Sequence, residues 1–187
     1  MKKLMLAFII CLSPLSVMAQ TEHMKFMGIP IDGKISAFQR ELKKKGFRED
    51  ERIKLLPKNT FRGAHFYKGL FAEEMATLVV YFNEKTKIVD HTRIYINCSS
   101  KRHADDKYEF FRKKLLEKYK DIFISKDSEN TTNEFGFAVL SSDKTRMIGF
   151  IYIEKKDDSD EGKHSVAIEY YDAANYNHSK DRVLDDL

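Results

Sequence analysis

The chain has 187 residues, and its 33 lysine and arginine residues against 29 aspartate and glutamate residues give a formal net charge of +4. The length suits one substantial domain, and the charge is too small to indicate nucleic acid as a partner. The two cysteines are Cys11 and Cys98, and the first lies in a leader. A fold held by an internal disulfide is therefore excluded for the exported chain.

The first twenty residues have the three-part layout of a secretory signal peptide. Two lysines precede an apolar stretch over residues 4–12, and small side chains lead to Ala19. We therefore predict that residues 1–19 are a cleaved signal peptide and that the mature chain begins at Gln20, with 31 basic and 29 acidic residues. The apolar stretch is shorter than the ~20 residues that cross a bilayer. The mature chain is expected to have no transmembrane segment and to be periplasmic or secreted.

Residues 23–33, HMKFMGIPIDG, could form the lip of a binding site or simply start the fold. Met24 and Phe26 occupy alternate positions, which predicts a short strand that Pro30 ends because proline lacks an N–H. Asp32 is then placed to cap the helix that follows. Since each residue has a local structural role, the sequence favours the structural interpretation.

Residues 34–45 carry the pattern of an amphipathic helix. Ile35, Phe38 and Leu42 fall on one side of such a helix. Gly46 follows three lysines and is placed as a C-terminal stop. We therefore predict the first helix over this range.

A second helix is predicted where Asp106 and Glu109 resemble a capping box. The i,i+4 pair of Glu109 and Lys113 supports the same helix. Its apolar stripe consists of Tyr108, Phe111, Leu115, Tyr119 and Ile122. One side of this helix is therefore expected to be buried.

Six strand-like runs follow the two helices in groups of three. They are residues 60–67, 75–82, 88–96, 134–140, 146–154 and 164–171. Apolar and polar residues alternate within them, which is typical of an antiparallel sheet with one wet face. We predict an α+β fold in which two helices pack on one face of an antiparallel sheet. A tandem duplication of a helix-plus-three-strand unit would explain the order.

The predicted domain organisation follows from these elements. After the signal peptide, residues 20–172 form a single α+β domain with halves 20–97 and 98–172, and residues 173–187 form a C-terminal tail. The tail has the composition of a frayed end, with a short helix at most.

The opening segment also carries a resemblance. HMKFMGIPIDG, followed by Phe38-x-x-x-Leu42 and Lys45-Gly46-Phe47, resembles the start of small exported proteins of uncharacterised function from Bacteroidetes bacteria. The resemblance covers mainly residues 23–47 and implies export, but it supplies no catalytic residues. By architecture alone, the repeated helix and sheet units are also similar to those of periplasmic modules and inhibitor proteins.

Residues 157–162, DDSDEG, invite comparison with a calcium-binding loop because clustered carboxylates can surround a hard cation. An EF-hand loop that started at Asp157 would have Ile168 at the position of the bidentate glutamate. The segment also lies between two predicted strands. A solvated acidic turn is therefore favoured, and no metal site is predicted.

Cys98 could act as a nucleophile if His91 or His103 lay beside it, since an imidazole activates a thiol. No local motif supports this, and a cysteine at the end of a strand is more often a small buried hydrophobic residue. The histidines are scattered singly, whereas zinc needs three or four ligands at recognisable spacings. No cofactor is predicted.

The common catalytic signatures are absent from the sequence. It has no Gly-x-Ser-x-Gly elbow, no phosphate-binding glycine loop and no His-Glu-x-x-His helix. We predict no catalytic residue, and an enzyme is less expected than a binding protein.

The segment 61–71, FRGAHFYKGLF, is rich in aromatic residues and interrupted by glycines. Aromatic and arginine side chains are enriched in partner contacts, and glycines allow another backbone to approach. This suggests Arg62, Phe66, Tyr67 and Phe71 as partner-binding residues. In the alternative interpretation, Phe61, Ala64 and Phe66 face the core while Gly63 and Gly69 mark bulges.

Three functions remain open at this point. The first is a non-catalytic binding or interaction module of the bacterial envelope, with a protein or glycan partner. The second is an envelope hydrolase with an unfamiliar site, for which His65, His91 and Cys98 are the candidate positions. The third is a self-associating structural subunit.

Overall fold

A computed structural model of the chain describes residues 22–55, 61–119, 124–125, 134–158 and 163–175. The predicted signal peptide, Ile122, residues 159–162 of the acidic turn and residues 176–187 of the predicted tail lie outside these residues. The helices are α1 (Ile35–Lys44), α2 (Glu51–Lys54) and α3 (Lys101–Lys118). The strands are β1 (Lys25–Phe26), β2 (Ile29–Pro30), β3 (Arg48–Glu49), β4 (Ala64–Phe71), β5 (Glu74–Phe82), β6 (Val89–Cys98), β7 (Ile124–Ser125), β8 (Glu134–Leu140), β9 (Met147–Asp158) and β10 (Lys163–Asp172).

The main sheet has eight strands in the order β3-β4-β5-β6-β10-β9-β8-β7, and every pairing in it is antiparallel. β1 and β2 form a separate two-stranded sheet. The prediction of an α+β protein with an antiparallel sheet is confirmed. Among the described helices, none is long and apolar enough to cross a membrane.

Alternate residues of the strands build one hydrophobic core together with the helices. The core cluster contains Tyr67, Leu78, Val80, Ile94, Ile96, Phe137, Ile151, Ile153, Val166 and Ile168 from the main sheet. The buried residues of α1 and α3 belong to the same cluster, as do Met24 and Phe26 of the N-terminal segment. The two halves of the chain therefore share a single core.

Residues 23–33 form a hairpin rather than the predicted single strand. β1 and β2 are joined by Met27 and Gly28, whose φ angles of 49° and 81° suit a two-residue turn with both residues left-handed. The prediction of a cap at Asp32 is also wrong, because the residue before α1 is Lys34, which makes no side-chain cap bond. The structural interpretation of the segment agrees with the burial of Phe26 and Ile31.

The hairpin is tied to the end of the sheet by a buried carboxylate. Asp172 accepts hydrogen bonds from the backbone N of Met24 at 2.9 Å and from Nδ1 of His23 at 3.0 Å. The backbone N of Asn175 donates to the same carboxylate at 3.0 Å, and its Nδ2 donates to the carbonyl of Ile31 at 2.7 Å. Residues at the start of the predicted tail thus hold the first hairpin in place.

The first helix is close to its prediction. Its buried residues are Ile35, Phe38 and Leu42, as the stripe indicated. Gly46 has a φ of +87°, the left-handed conformation that commonly ends a helix.

The second predicted helix, α3, begins five residues before the predicted cap. Ser100 is the N-cap, and its hydroxyl accepts a hydrogen bond from the backbone N of His103 at 3.2 Å. Asp106 therefore lies inside the helix, and the predicted capping box is wrong. Serine is as well suited to the N-cap position as aspartate, so residue type alone does not separate Ser100 from Asp106. Tyr108, Phe111 and Leu115 are buried as predicted.

Segment 61–71 pairs with β5 without a bulge, so the predicted bulges at its glycines are wrong. Gly63 lies in the turn before β4 with a φ of +68°. Gly69 lies beneath an aromatic ring, since a Cβ at this position would be 2.7 Å from the ring of Phe47. The two glycines therefore serve a turn and a close ring contact.

Candidate functional site

The side of the main sheet that faces away from the core cluster is the candidate site, and we call it the open face. Side chains alternate across a strand, so the residues between core residues point to this side. Val79 and Ala167 are buried hydrophobic residues that do not belong to the core cluster, as expected for this side. The open face of β4, β5, β6, β10 and β9 includes Phe66, Lys68, Leu70, Met75, Thr77, Val79, Tyr81, His91, Arg93, Tyr95, Ala167, Glu169, Tyr171, Phe150, Tyr152, Glu154 and Lys156.

An aromatic row crosses four neighbouring strands of the open face. The strand register places Tyr81 opposite His91, His91 opposite Tyr171 and Tyr171 opposite Phe150. The rings of Tyr81 and His91 stack with centroids 4.1 Å apart and planes at 11°, and those of His91 and Tyr171 stack at 4.8 Å and 16°. Tyr152 meets the Tyr171 ring edge-on at 5.7 Å. The row is therefore a connected set of rings, not a scatter of exposed aromatics.

The orientation of these rings limits what they can bind. Because three rings stack on one another, both faces of the His91 ring and the inner faces of the Tyr81 and Tyr171 rings are covered, which leaves less ring face for a ligand. A sugar that binds an aromatic side chain lies on the ring face. Tyrosine edges and hydroxyls suit the mixed apolar and polar contacts of a protein partner.

A bulge at Asp90 places His91 on the open face. Between β5 and β6 the register passes from Tyr81 opposite His91 to Phe82 opposite Val89, which leaves Asp90 as the extra residue. Val89 is in the core, so the bulge leaves Val89 and His91 on opposite faces of the sheet although they are two residues apart. The imidazole Nδ1 of His91 donates to the Asp90 carboxylate at 2.6 Å.

A charged triad lies beside the aromatic row. Arg93 is held between Glu154 and Glu169, and its Nη1 is 2.6 Å from the Glu169 carboxylate. Its guanidinium carbon is 5.0 Å from the centre of the Tyr95 ring. Burial by itself would lower the pKa of Arg93, but Glu169 and Glu154 raise it above its ordinary value. Arg93 thus stays charged and neutralises carboxylates that are themselves poorly exposed.

Two tyrosines of the open face have raised pKa values. Burial raises the pKa of Tyr81, and nearby Tyr95 raises it further. Burial also raises the pKa of Tyr95, although the charge of Arg93 lowers it. Both phenols therefore remain neutral hydrogen-bonding groups near neutral pH.

An apolar strip borders the open face along β4 and β5, and it consists of Phe61, Phe66, Leu70 and Met75. Leu70 and Met75 are cross-strand partners and are 58% and 63% exposed. The rings of Phe61 and Phe66 are 4.7 Å apart, and Phe61 is also exposed. Large apolar side chains grouped in this way are typical of surfaces that contact another molecule.

The four residues predicted to bind a partner do not lie together. Tyr67 is fully buried in the core, and Phe71 stacks on Phe26 with centroids 5.9 Å apart. Phe66 points to the open face, and Arg62 is exposed in the turn before β4. Tyr67 is therefore a core residue, and Phe71 is partly buried against the core on the same side of the strand, because successive residues of a strand face opposite sides. The interpretation of Phe61 and Phe66 as core residues is wrong, and partner binding by Arg62, Phe66, Tyr67 and Phe71 stays a prediction.

The positions considered for an enzyme have different hydrogen-bond partners. Cys98 is buried, burial raises the pKa of its thiol, and its Sγ lies 3.7 Å from the carbonyl of Ile96. His103 is bonded to Ser99 at the start of α3. Within the described ranges, no group of three or more histidine, cysteine or acidic residues could hold a metal ion.

His65 borders a cavity. Nε2 of Gln39 donates to its Nδ1 at 2.6 Å, and the Tyr67 hydroxyl is 3.4 Å from the same atom. A cavity of about 160 Å³ lies beside it, lined also by Glu49 and Phe66. Burial lowers the pKa of His65, so the imidazole is neutral and its Nδ1 accepts the hydrogen bond from the Gln39 amide.

Sequence reasoning did not identify the aromatic row as a site. The signal was present as alternate aromatic and charged residues in three strands, of which His91, Arg93 and Tyr95 are one example. What could not be read was that β6 lies next to β10, since this pairing joins the two halves of the chain. No family model, curated protein or solved structure matches this chain.

Proposed function

We propose that the protein is an exported, non-catalytic binding module of the bacterial envelope that contacts a protein partner through the open face. The observation that carries the proposal is the aromatic row, in which three stacked rings and the edge-on ring of Tyr152 cross four strands of this face. Export rests on the signal peptide predicted from the sequence. Tyrosine, arginine and methionine are enriched where proteins meet, and this surface presents all three.

The two-helix arrangement and the duplication are part of the same proposal. Each half runs helix, short edge strand and three long strands, and the sheet order is symmetric about the junction of β6 and β10. Buried residues of α1 and α3 join the same core cluster. We infer that both helices cover the core side of a duplicated sheet and leave the open face for the partner.

A hydrolase is the second candidate, and the cavity beside His65 favours it. The imidazole of His65 lines this cavity, and it can act as a general base once its Nδ1 is released from Gln39 and the Tyr67 hydroxyl. However, burial raises the pKa of the Tyr67 phenol well above its usual range, so Tyr67 is a poor nucleophile. A hydrolase would lose its activity in a His65→Gln variant that still folds.

Site-specific photo-crosslinking in the native host tests the binding proposal. Tyr152 on the open face and Phe110 on α3 are matched probe positions, since their side chains are 42% and 47% exposed. Each is replaced in turn by the photoreactive residue benzoylphenylalanine, which is itself a large aromatic side chain. After irradiation, adducts are separated by mass and identified.

We expect a defined protein adduct at Tyr152 in about tenfold greater yield than at Phe110. Equal yields at the two positions, or no adduct at either, would contradict binding through the open face. An adduct of twice the chain's own mass at Tyr152 would show self-association, the third function considered above.

A further inference from the structure

We infer that the partner lays apolar side chains on the apolar strip and places a carboxylate against Lys68. This inference rests on the proposed function, because it assigns a chemistry to the protein that the open face binds. Lys68 lies on β4 between Phe66 and Leu70, with its side chain on the same side of the strand. A partner that covers the strip therefore meets this ammonium group.

The apolar strip can be covered only by apolar groups without loss of affinity. Leu70 and Met75 stand opposite each other on neighbouring strands, and both are more than half exposed. Covering them removes apolar surface from water, which favours association. A polar partner surface would lose its hydration at this position without gaining hydrogen bonds.

Lys68 is only weakly paired with the Asp50 carboxylate. Its Nζ lies 3.6 Å from Asp50, which already accepts hydrogen bonds from Nε and Nη2 of Arg52 at 3.1 and 2.8 Å. The charge of Asp50 is thus matched by Arg52. Lys68 remains as an excess positive charge beside the strip.

The carboxylates of the open face are less exposed than its lysines. The Lys68 and Lys156 side chains are 40% and 54% exposed, whereas those of Glu154 and Glu169 are 22% and 15% exposed and are paired with Arg93. An approaching protein therefore meets the lysine charges of this face before its carboxylates. Complementarity favours aspartate or glutamate on the partner at this position.

The test uses benzoylphenylalanine at Leu70 as the probe in the native host, combined with charge changes. Lys68→Glu reverses the charge beside the strip, and Lys113→Glu makes the same change at an exposed position on α3. Lys68→Met removes the charge but keeps an apolar stem. It replaces Lys68→Glu in the test if the new glutamate disturbs the fold by repelling the nearby Asp50 carboxylate. Circular dichroism checks that each variant is folded.

We expect the yield of protein adduct at Leu70 to fall about fivefold in Lys68→Glu, to fall less in Lys68→Met, and to stay unchanged in Lys113→Glu. Added salt at about 0.5 M should lower the yield in the parent and not in Lys68→Met. An adduct that forms equally with Lys68→Glu would overturn the inference and leave the proposed function standing. The absence of any protein adduct would overturn both.

Discussion

The two faces of the main sheet use the same strands for different purposes. On β4, Tyr67 is fully buried while its neighbour Phe66 is on the open face beside exposed Phe61. On β5, Val80 belongs to the core cluster and Tyr81 starts the aromatic row. An aromatic residue of these strands is therefore placed in the core or on the open face by its parity in the strand, not by its residue type.

The open face also shows that burial does not require a covering helix. Val79 and Ala167 are buried outside the core cluster, and both lie opposite residues with long side chains. Arg93 is the cross-strand partner of Val79, and Tyr95 is that of Ala167. Large side chains that lie across a sheet can thus shield small ones from water. On the open face, small buried side chains therefore lie beneath larger, partly exposed ones.

The largest expected effect belongs to the core side. Phe26 is fully buried, and its ring contacts those of Phe71 and Tyr170 at centroid distances of 5.9 and 5.3 Å. Phe26→Ala should lower the free energy of unfolding by about 3–5 kcal/mol, because it leaves a cavity among these rings. Denaturant unfolding measures the change. The control Phe110→Ala, at an exposed ring, should cost less than about 1 kcal/mol, and equal losses would contradict the assignment.

A smaller loss is expected where the open face contains charge. Arg93→Leu leaves Glu154 and Glu169 without their shared cation, so it should destabilise the protein by about 2 kcal/mol, discounted for partial exposure. The additional changes Glu154→Gln and Glu169→Gln should restore part of this loss, since they remove the uncompensated charges. Unfolding curves of the Arg93→Leu variant and of the triple variant test these two expectations. An Arg93→Leu variant as stable as the parent would show that the charged triad does not stabilise the open face.

The third expected effect concerns the stability of helix α2, and neither face of the sheet. Asp50 caps α2, and its hydrogen bond with Arg52 lowers the pKa of its carboxyl to about 2 from an ordinary value of 3.8. A lowered folded-state pKa means that its stabilisation is present above pH 3.8 and is lost as the pH falls towards 2. Asp50→Ala should cost about 1 kcal/mol at neutral pH and less below pH 3. Unfolding measured across this range would contradict the account if parent and variant lost stability in parallel.

The smallest effect on stability is expected at the apolar strip. Leu70→Ala should change the free energy of unfolding by less than about 0.5 kcal/mol, because the side chain is mostly in water. The same change should weaken partner binding, which the crosslinking yield at Tyr152 reports. A loss of stability similar to that of a core variant would show that the strip packs against the protein itself.

Local patterns predicted much of the fold. Residues 134–140 form a strand with the predicted bounds, and the first helix was found to within one residue at each end. These elements obey a single repeating pattern. The errors occurred where two local signals competed, as with Ser100 and Asp106 at the start of α3, or where Met27 and Gly28 made a turn inside a predicted strand.

The candidate site was less accessible to sequence reasoning because it depends on long-range pairing. Phe66 and Tyr67 have similar side chains, and strand parity was needed to separate them. The bulge at Asp90 shifts His91 to the open face, and nothing in the sequence marks it. The contact between His91 and Tyr171 further requires that β6 and β10 be neighbours.

The central claim is that the open face binds a protein while the other face supports the fold. One variant, Leu70→Glu/Met75→Glu, tests this claim through two readouts, the free energy of unfolding and the yield of protein adduct at Tyr152. We predict that stability changes by less than about 1 kcal/mol, since both side chains are exposed, and that the adduct is lost. A stable variant that forms the same adduct in the same yield would contradict the claim.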